Sequence, residues 1–288
     1  MLLKAFHTFA PAKINLFLHV TGKRDDGYHT LQSLMVFADV GDDLEFSAQE
    51  SFQVEVKGPF AATLPEQKDN LIYKAARLLS EEYAVPLQGK IILTKNLPVA
   101  SGIGGGSADA AAALKGLVKL WNLPHDQSGD PLRLQRIAQQ LGADVPACLY
   151  GRTVWAEGTG ETLFRVPDMP VVHGVLVNPL IPTATAAVFK NFRGGFKPRL
   201  SFPGERGMTV ADLKKCRNDL TEAAVAVTPE ISNVLAAIAA TENCLLHRLS
   251  GSGATCFGLY DNATAALTAA VALQARHPGW WVMLANQI

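Results

Sequence analysis

Between Pro98 and Ala108 the chain reads Pro98-Val99-Ala100-Ser101-Gly102-Ile103-Gly104-Gly105-Gly106-Ser107-Ala108, and an alanine-rich stretch follows at once. Glycine lets the main chain take positive φ and lets a ligand approach it closely. Alanine is the best helix former. The first N–H groups of a helix have no partner within it and carry the positive end of its dipole. A glycine loop feeding a helix is therefore a site for anions, phosphate above all. Two better-known phosphate loops are excluded. Gly106 is followed by Ser107 and Ala108, not by the Lys and Ser/Thr of a P-loop. Gly102 and Gly104 fit a dinucleotide fingerprint, but its third glycine is replaced by Ser107. A plain connection between strand and helix is the other reading; the density of glycine and its place before a helix favour phosphate.

Other residues carry chemistry at useful spacings. Lys13 and Asn15 are two apart in Pro11-Ala12-Lys13-Ile14-Asn15-Leu16 and face one side of a strand. A Lys at the mouth of an apolar strand ordinarily runs its amine to solvent. Tyr28 and His29 follow the turn signal Asp26-Gly27. They read either as the edge of a pocket or as a packed aromatic and a surface imidazole. Asp144 lies in an apolar neighbourhood, Gly142-Ala143-Asp144-Val145-Pro146, where a helix cap also accounts for it. Ser250-Gly251-Ser252-Gly253-Ala254 is a second glycine turn. Cys148, Cys216, Cys244 and Cys256 form no C-x-x-C pair, and the histidines show no ligand spacing. Buried free thiols in a reducing compartment are expected, and no structural zinc site.

The elements that must position these groups follow from pattern. Strands are expected over 14–20, at the apolar run 34–37, over 52–57 and over 90–94, with a turn at Asp42, Asp43 and Glu45. A helix starts at Leu71, capped by Asp69 or Asn70. The helix after the glycine loop buries Ala112, Ala113, Leu114, Leu117, Val118, Leu120 and Trp121. Asp130-Pro131 opens a further helix and Gly142 stops it. Two short strands fill 151–161. The second half reads as a strand over 171–177, a helix from Thr183 or Thr185 as cap, a loop over 191–209 and helices over 210–226 and 229–241. Strands over 245–249 and 255–260, a helix over 263–276 and a strand over 280–284 complete it. This order predicts a small α+β sandwich, and the boundary between domains 1–165 and 166–288 is drawn at the change of pattern.

The 288 residues suffice for two cores, and 26 basic residues balance 26 acidic ones. No basic field draws nucleic acid or an anionic membrane. No window approaches the ~18 apolar residues of a membrane span, and the start of the chain lacks a leader pattern, so a cytoplasmic protein is expected.

The loop from Pro98 to Ala108 resembles the phosphate loop of the GHMP small-molecule kinases. The triple glycine, Pro11-Ala12-Lys13-Ile14-Asn15-Leu16, Asp26-Gly27-Tyr28-His29, Gly142-Ala143-Asp144-Val145-Pro146, Arg217-Asn218-Asp219-Leu220 and Ser250 to Ala254 resemble, in order, the diphosphocytidyl-methylerythritol kinases of that superfamily. Thr221 stands before Glu222, a departure from their pattern. The resemblance implies an α+β, two-domain GHMP-kinase architecture. Its N-terminal half is like ribosomal protein S5 domain 2 and its C-terminal half is a ferredoxin-like α/β sandwich. It implies transfer of a phosphoryl group from ATP, with Mg²⁺, to the 2-hydroxyl of a cytidine-diphosphate-linked polyol. It makes Lys13 and Asp144 the catalytic pair and residues Pro98 to Ala108 the ATP site. It makes Asn15, Tyr28, His29, Thr185 and Phe189 substrate contacts, the two aromatics holding the cytosine, and leaves Ser107 as a metal contact. Partners would be small molecules alone, with no nucleic acid or membrane, and the protein a monomer or homodimer. A homoserine or mevalonate kinase and a non-catalytic nucleotide or sugar sensor are the competing readings; Asp26-Gly27-Tyr28-His29 speaks against the first and retention of Lys13 and Asp144 against the second.

Overall fold

The computed structural model describes residues 5–64, 70–124, 132–167, 172–286 and 288. Two compact units interleave along the chain. The first comprises Met1–Ala12, Gly41–Val99 and Gly104–Gly151; the second comprises Lys13–Val40, Ala100–Ile103 and Arg152–Ile288. The chain passes between them within two long strands, β1 (Phe6–Lys23) and β2 (His29–Ser47), within the glycine loop and again after Gly151.

In the first unit the end of β2 pairs antiparallel with β4 (Lys90–Thr94), Leu44 opposite Leu93, and β4 pairs parallel with β3 (Gln53–Lys57). Among the described residues this unit holds the α-helices α1 (Leu71–Tyr83), α2 (Gly105–Leu120), α3 (Leu132–Leu141) and α4 (Val145–Tyr150). α1 begins where Asn70 accepts the Ile72 N–H at 2.8 Å, one of the two caps expected; Asp69 and the Asp130-Pro131 opening of α3 lie outside the described residues. α2 is buried almost all round because alanine needs little space, which lets it pack on both α1 and α4. Leu120 and Trp121 are only half-buried, since the Trp121 indole N–H reaches out to the Gln88 carbonyl at 2.9 Å. The turn expected at Asp42 to Glu45 is absent: the strand runs through, because Asp42 is buried and fully engaged by partners described below.

In the second unit the start of β2 pairs antiparallel with β5 (Val154–Gly158), which pairs with β6 (Thr162–Arg165). The rest builds the α+β sandwich. Its sheet has the order β10 (Trp281–Ala285), β7 (His173–Asn178), β9 (Cys256–Tyr260), β8 (Cys244–Leu249), antiparallel throughout. The Val171 start expected for β7 lies outside the described residues. Helices α5 (Thr185–Asn191), α6 (Val210–Lys214), α7 (Thr221–Val227), α8 (Glu230–Ala239) and α9 (Ala263–Arg276) complete it. Val175, Val177, Ile231, Val234, Ile238 and Leu273 meet in its core. The single helix expected over 210–226 is two, α6 and α7. Asn218 breaks it by bridging in parallel to Leu18 and by donating to the Leu249 and Gly251 carbonyls at 2.9 and 2.7 Å. Neither Thr183 nor Thr185 caps α5, whose N-cap is Ala184; both hydroxyls bond elsewhere, Thr183 to Thr228 and Thr185 to Ser252, each at 2.8 Å.

Candidate active site

The glycine loop shows how its sequence is used. Ser101, Gly102 and Ile103 each turn their carbonyl into the second unit. They accept from the Thr255 N–H at 2.9 Å, the Ser250 hydroxyl at 3.0 Å and the Lys13 N–H at 2.9 Å. Gly102 has φ +76°, and a Cβ there would meet Ser250 O at 2.5 Å and Gly253 N at 2.7 Å, so only glycine fits. In the first unit Gly104, at φ +64°, is the N-cap of α2. The α2 ladder begins with the Ala108 N–H donating to Gly104 O at 2.8 Å. The amides of Gly105, Gly106 and Ser107 therefore stand outside it at the positive end of the helix. Loop carbonyls are bonded away and helix amides are left as donors, the arrangement an anion requires.

Lys13 is buried on β1, 3% exposed, so the strand-mouth lysine that runs to solvent is not what forms. Its ammonium donates to Asn15 Oδ1 at 2.9 Å, as the two-residue spacing predicts. Asn15 is fixed at both ends. Its Nδ2 donates to Ser33 Oγ at 2.8 Å, the Ser33 hydroxyl donates to Phe17 O at 2.6 Å, and the Asn15 backbone N–H donates to Ser250 Oγ at 3.1 Å. Ser250 thus ties the Lys13 strand to the carbonyl of Gly102.

His29 and Phe189 stack with ring centroids 5.1 Å apart and planes 23° apart, and Phe192 meets the same imidazole edge-on at 5.8 Å. Burial, aided by Lys23, holds the His29 pKa below its ordinary value, which favours the neutral ring with one donor and one acceptor. Tyr28 instead stands 69% exposed at the turn, its backbone N–H donating to Asp26 Oδ1 at 3.1 Å. The aromatic contact present is His29 with Phe189. Thr185 lies against Ser252 of the second glycine turn.

Asp144 belongs to the first unit and Lys13 to the second. Asp144 occupies the N-cap position of α4 yet makes no capping bond with its side chain, so capping does not explain it. Among the described residues no three His, Cys, Asp or Glu side chains form a metal cluster, and no helix is long and apolar enough to cross a membrane.

Pattern reading missed a buried charge cluster. Lys95 donates to Asp42 Oδ2 at 2.5 Å and to Asp109 Oδ2 at 2.7 Å, all three side chains being buried in the first unit. The signal was present: Asp109 interrupts an alanine run and Asp42 a strand, and carboxylates are rarely buried unpaired.

Comparison with known proteins agrees with these motifs. The GHMP kinases N terminal domain model matches residues 70–152, and the GHMP kinases C terminal model matches residues 209–279. A Paramagnetospirillum magneticum protein named 4-diphosphocytidyl-2-C-methyl-D-erythritol kinase is 51% identical over 281 residues, covering 96% of this chain and 97% of its own. A Parvibaculum lavamentivorans protein of the same name is 48% identical, covering 95% of each chain. A crystal structure of 4-(cytidine 5'-diphospho)-2C-methyl-D-erythritol kinase superposes with a TM-score of 0.79 at 33% identity, over 97% of this chain and 98% of that one. A homoserine kinase from Cytophaga hutchinsonii, at 18% identity, TM-score 0.72 and covering 99% and 95%, shares the fold.

Proposed function

The chain belongs to the 4-diphosphocytidyl-2-C-methyl-D-erythritol kinase family of the GHMP kinases, and from that premise we propose how its residues perform the reaction. The enzyme transfers the γ-phosphoryl group of ATP to the 2-hydroxyl of 4-diphosphocytidyl-2-C-methyl-D-erythritol, in the non-mevalonate route to isoprenoid precursors. The observation that carries this reading is the glycine loop, with three carbonyls bonded away and the amides of Gly105 to Ser107 left ahead of α2.

Phosphoryl transfer depends on positioning and charge stabilisation more than on covalent help. The backbone of Pro98 to Ala108 holds the ATP phosphates. Asp144 accepts the proton of the substrate hydroxyl as its oxygen bonds to the γ-phosphorus. The bond to the β-phosphate oxygen breaks and ADP leaves. Lys13, oriented by Asn15, neutralises the charge that develops on the transferred group. Phe189 and His29 take the cytosine by stacking and hydrogen bonding, with Tyr28 as the second aromatic; Asn15 and Thr185 are further substrate contacts. Ser107 would offer a hard hydroxyl oxygen to a Mg²⁺ carried on the ATP phosphates, which needs no all-protein cage, and the cation would supply charge neutralisation at those phosphates. In this reading residues 1–165 are the nucleotide-binding and catalytic part and 166–288 the substrate side. The acceptor is a small molecule, and the enzyme works in the cytoplasm without a nucleic-acid partner.

ATP consumption with Mg²⁺ against 4-diphosphocytidyl-methylerythritol, homoserine, mevalonate and galactose tests this. Turnover is expected with the cytidylyl compound alone, and Asp144→Asn is expected to lower kcat by about 10²–10⁴-fold. Turnover of another acceptor, or an Asp144→Asn variant within a few-fold of the parent, would overturn the assignment.

A further inference from the structure

A glycine loop cannot hold its own shape, because its residues resist almost no backbone conformation. Something outside it must fix the span between the chain that enters and the helix that leaves. In the first unit one buried ammonium reaches both. Lys95 ends the run from β4, is 1% exposed, and donates to Asp42 Oδ2 and to Asp109 Oδ2 in the second turn of α2. The other oxygen of Asp42 accepts the backbone N–H groups of Asn96 at 2.5 Å and Leu97 at 2.9 Å, the two residues ahead of Pro98. A Cβ built on Gly105 would lie 3.1 Å from Lys95 Nζ, so the ammonium sits under the first residue of α2.

Stability alone is a poor account of this cluster. Ionisable side chains taken out of water cost more than they return unless every bond is made, and apolar residues of like volume are often as stable. Here Asp109 Oδ1 is buried with no partner. What the charges supply that apolar packing would not is direction: fixed bonds to the residues before Pro98 and to the helix after Gly104.

We propose that Lys95, with Asp42 and Asp109, is a positioning cluster that sets the span of the glycine loop and so aims the amides of Gly105, Gly106 and Ser107 at the phosphates of ATP. The proposal rests on the reading of that loop as the ATP site. Preorganised donors lose effect steeply when displaced. Removing the cluster should therefore weaken ATP binding and leave binding of the cytidylyl acceptor untouched.

The test uses the full chain, with a non-hydrolysable ATP analogue and Mg²⁺ as probe. Hydrogen exchange of the amides of residues 104–107 is followed with and without the probe, beside KM for each substrate. In the parent the analogue should slow exchange at these amides; no protection there would sink the reading of the loop, and the cluster proposal with it. Given protection in the parent, Lys95→Met should raise KM for ATP on the order of tenfold with KM for the acceptor unchanged. That variant leaves two carboxylates without their cation, so the charge-free Asp42→Asn/Lys95→Met/Asp109→Asn protein is measured as well. If either folded variant binds ATP and protects the loop as the parent does, the cluster does not position it. Equal rises in both KM values would also overturn the proposal, because general loosening would produce them.

Discussion

Two buried lysines invite comparison. Lys95, in the first unit, is bonded to two carboxylates. Lys13, in the second, donates to the neutral amide oxygen of Asn15, which hydroxyls and backbone hold in turn. The burial is similar, and one ammonium meets carboxylates where the other meets an amide. Asp109 and Asp42 hold the Lys95 pKa above its ordinary value against the opposing effect of burial, so its charge is spent inside the protein. The amide of Asn15 orients the Lys13 ammonium, which in the proposed reaction meets the incoming phosphoryl group. The lesson is that a buried lysine can be fixed from its own strand, as Lys13 is by Asn15, or from elsewhere in the chain, as Lys95 is by Asp42 and Asp109.

The largest effect that would break this comparison is a reversal of the two substitutions. Lys13→Met should lower kcat by about 10²–10³-fold, the cost of removing a group that stabilises transition-state charge. It should leave the midpoint of thermal unfolding within a few degrees of the parent. Lys95→Met should do the converse to the fold, destabilising it by about 3–5 kcal/mol because it strands buried carboxylates. Steady-state kinetics and thermal melts on both proteins read the outcome. If Lys13→Met melts early and keeps its kcat, the contrast between the lysines is wrong.

A smaller effect sharpens the substrate side. Phe189 stacks on His29. Phe189→Ala should raise KM for the cytidylyl acceptor by about tenfold, in line with aromatic pairs worth roughly 0.5–1.5 kcal/mol beyond the area they bury. KM for ATP should not move. Matching increases in both constants would mean that Phe189 supports the fold and not the base. Tyr28→Ala, at an exposed position, separates a second stacking partner from a bystander in the same assay.

Much of this was legible in the sequence. The glycine loop, α2 and the strand–helix order of the second unit were readable because glycine density, alanine runs and alternation are local signals. So was the pairing of Lys13 with Asn15, which needs only the two-residue repeat of a strand. The interleaving of the units was not: it depends on β1 and β2 running on past the short apolar patterns that mark them. Asn218 splits α6 from α7 through bonds to Leu249 and Gly251, and no local pattern reports a partner some thirty residues away. Asp42 looked like a turn residue because its cation, Lys95, is more than fifty residues distant.

The smallest effect concerns that cation's second partner. Burial, with Asp42 adding to it and Lys95 opposing, raises the Asp109 pKa to about 8. The proton has a place to sit, since Oδ2 receives Lys95 while Oδ1 is buried and otherwise unpartnered. Unfolded, the same carboxyl ionises in the ordinary range near 4. Between those values the folded protein holds a proton that the unfolded chain has released. Stability from this group is therefore complete below the ordinary carboxylate value and is lost as pH rises towards 8, by at most about 1.4 kcal/mol per pH unit. Asp109→Asn has the same shape and no proton to lose. Its stability, followed by denaturant unfolding from pH 5 to pH 8, should fall less steeply than the parent's by up to that amount. An unchanged slope would mean that Asp109 stays ionised and that the cluster holds two full anions against one cation. In that event the net charge under the glycine loop would be negative and would oppose phosphate, so the same titration also bears on how the loop binds ATP.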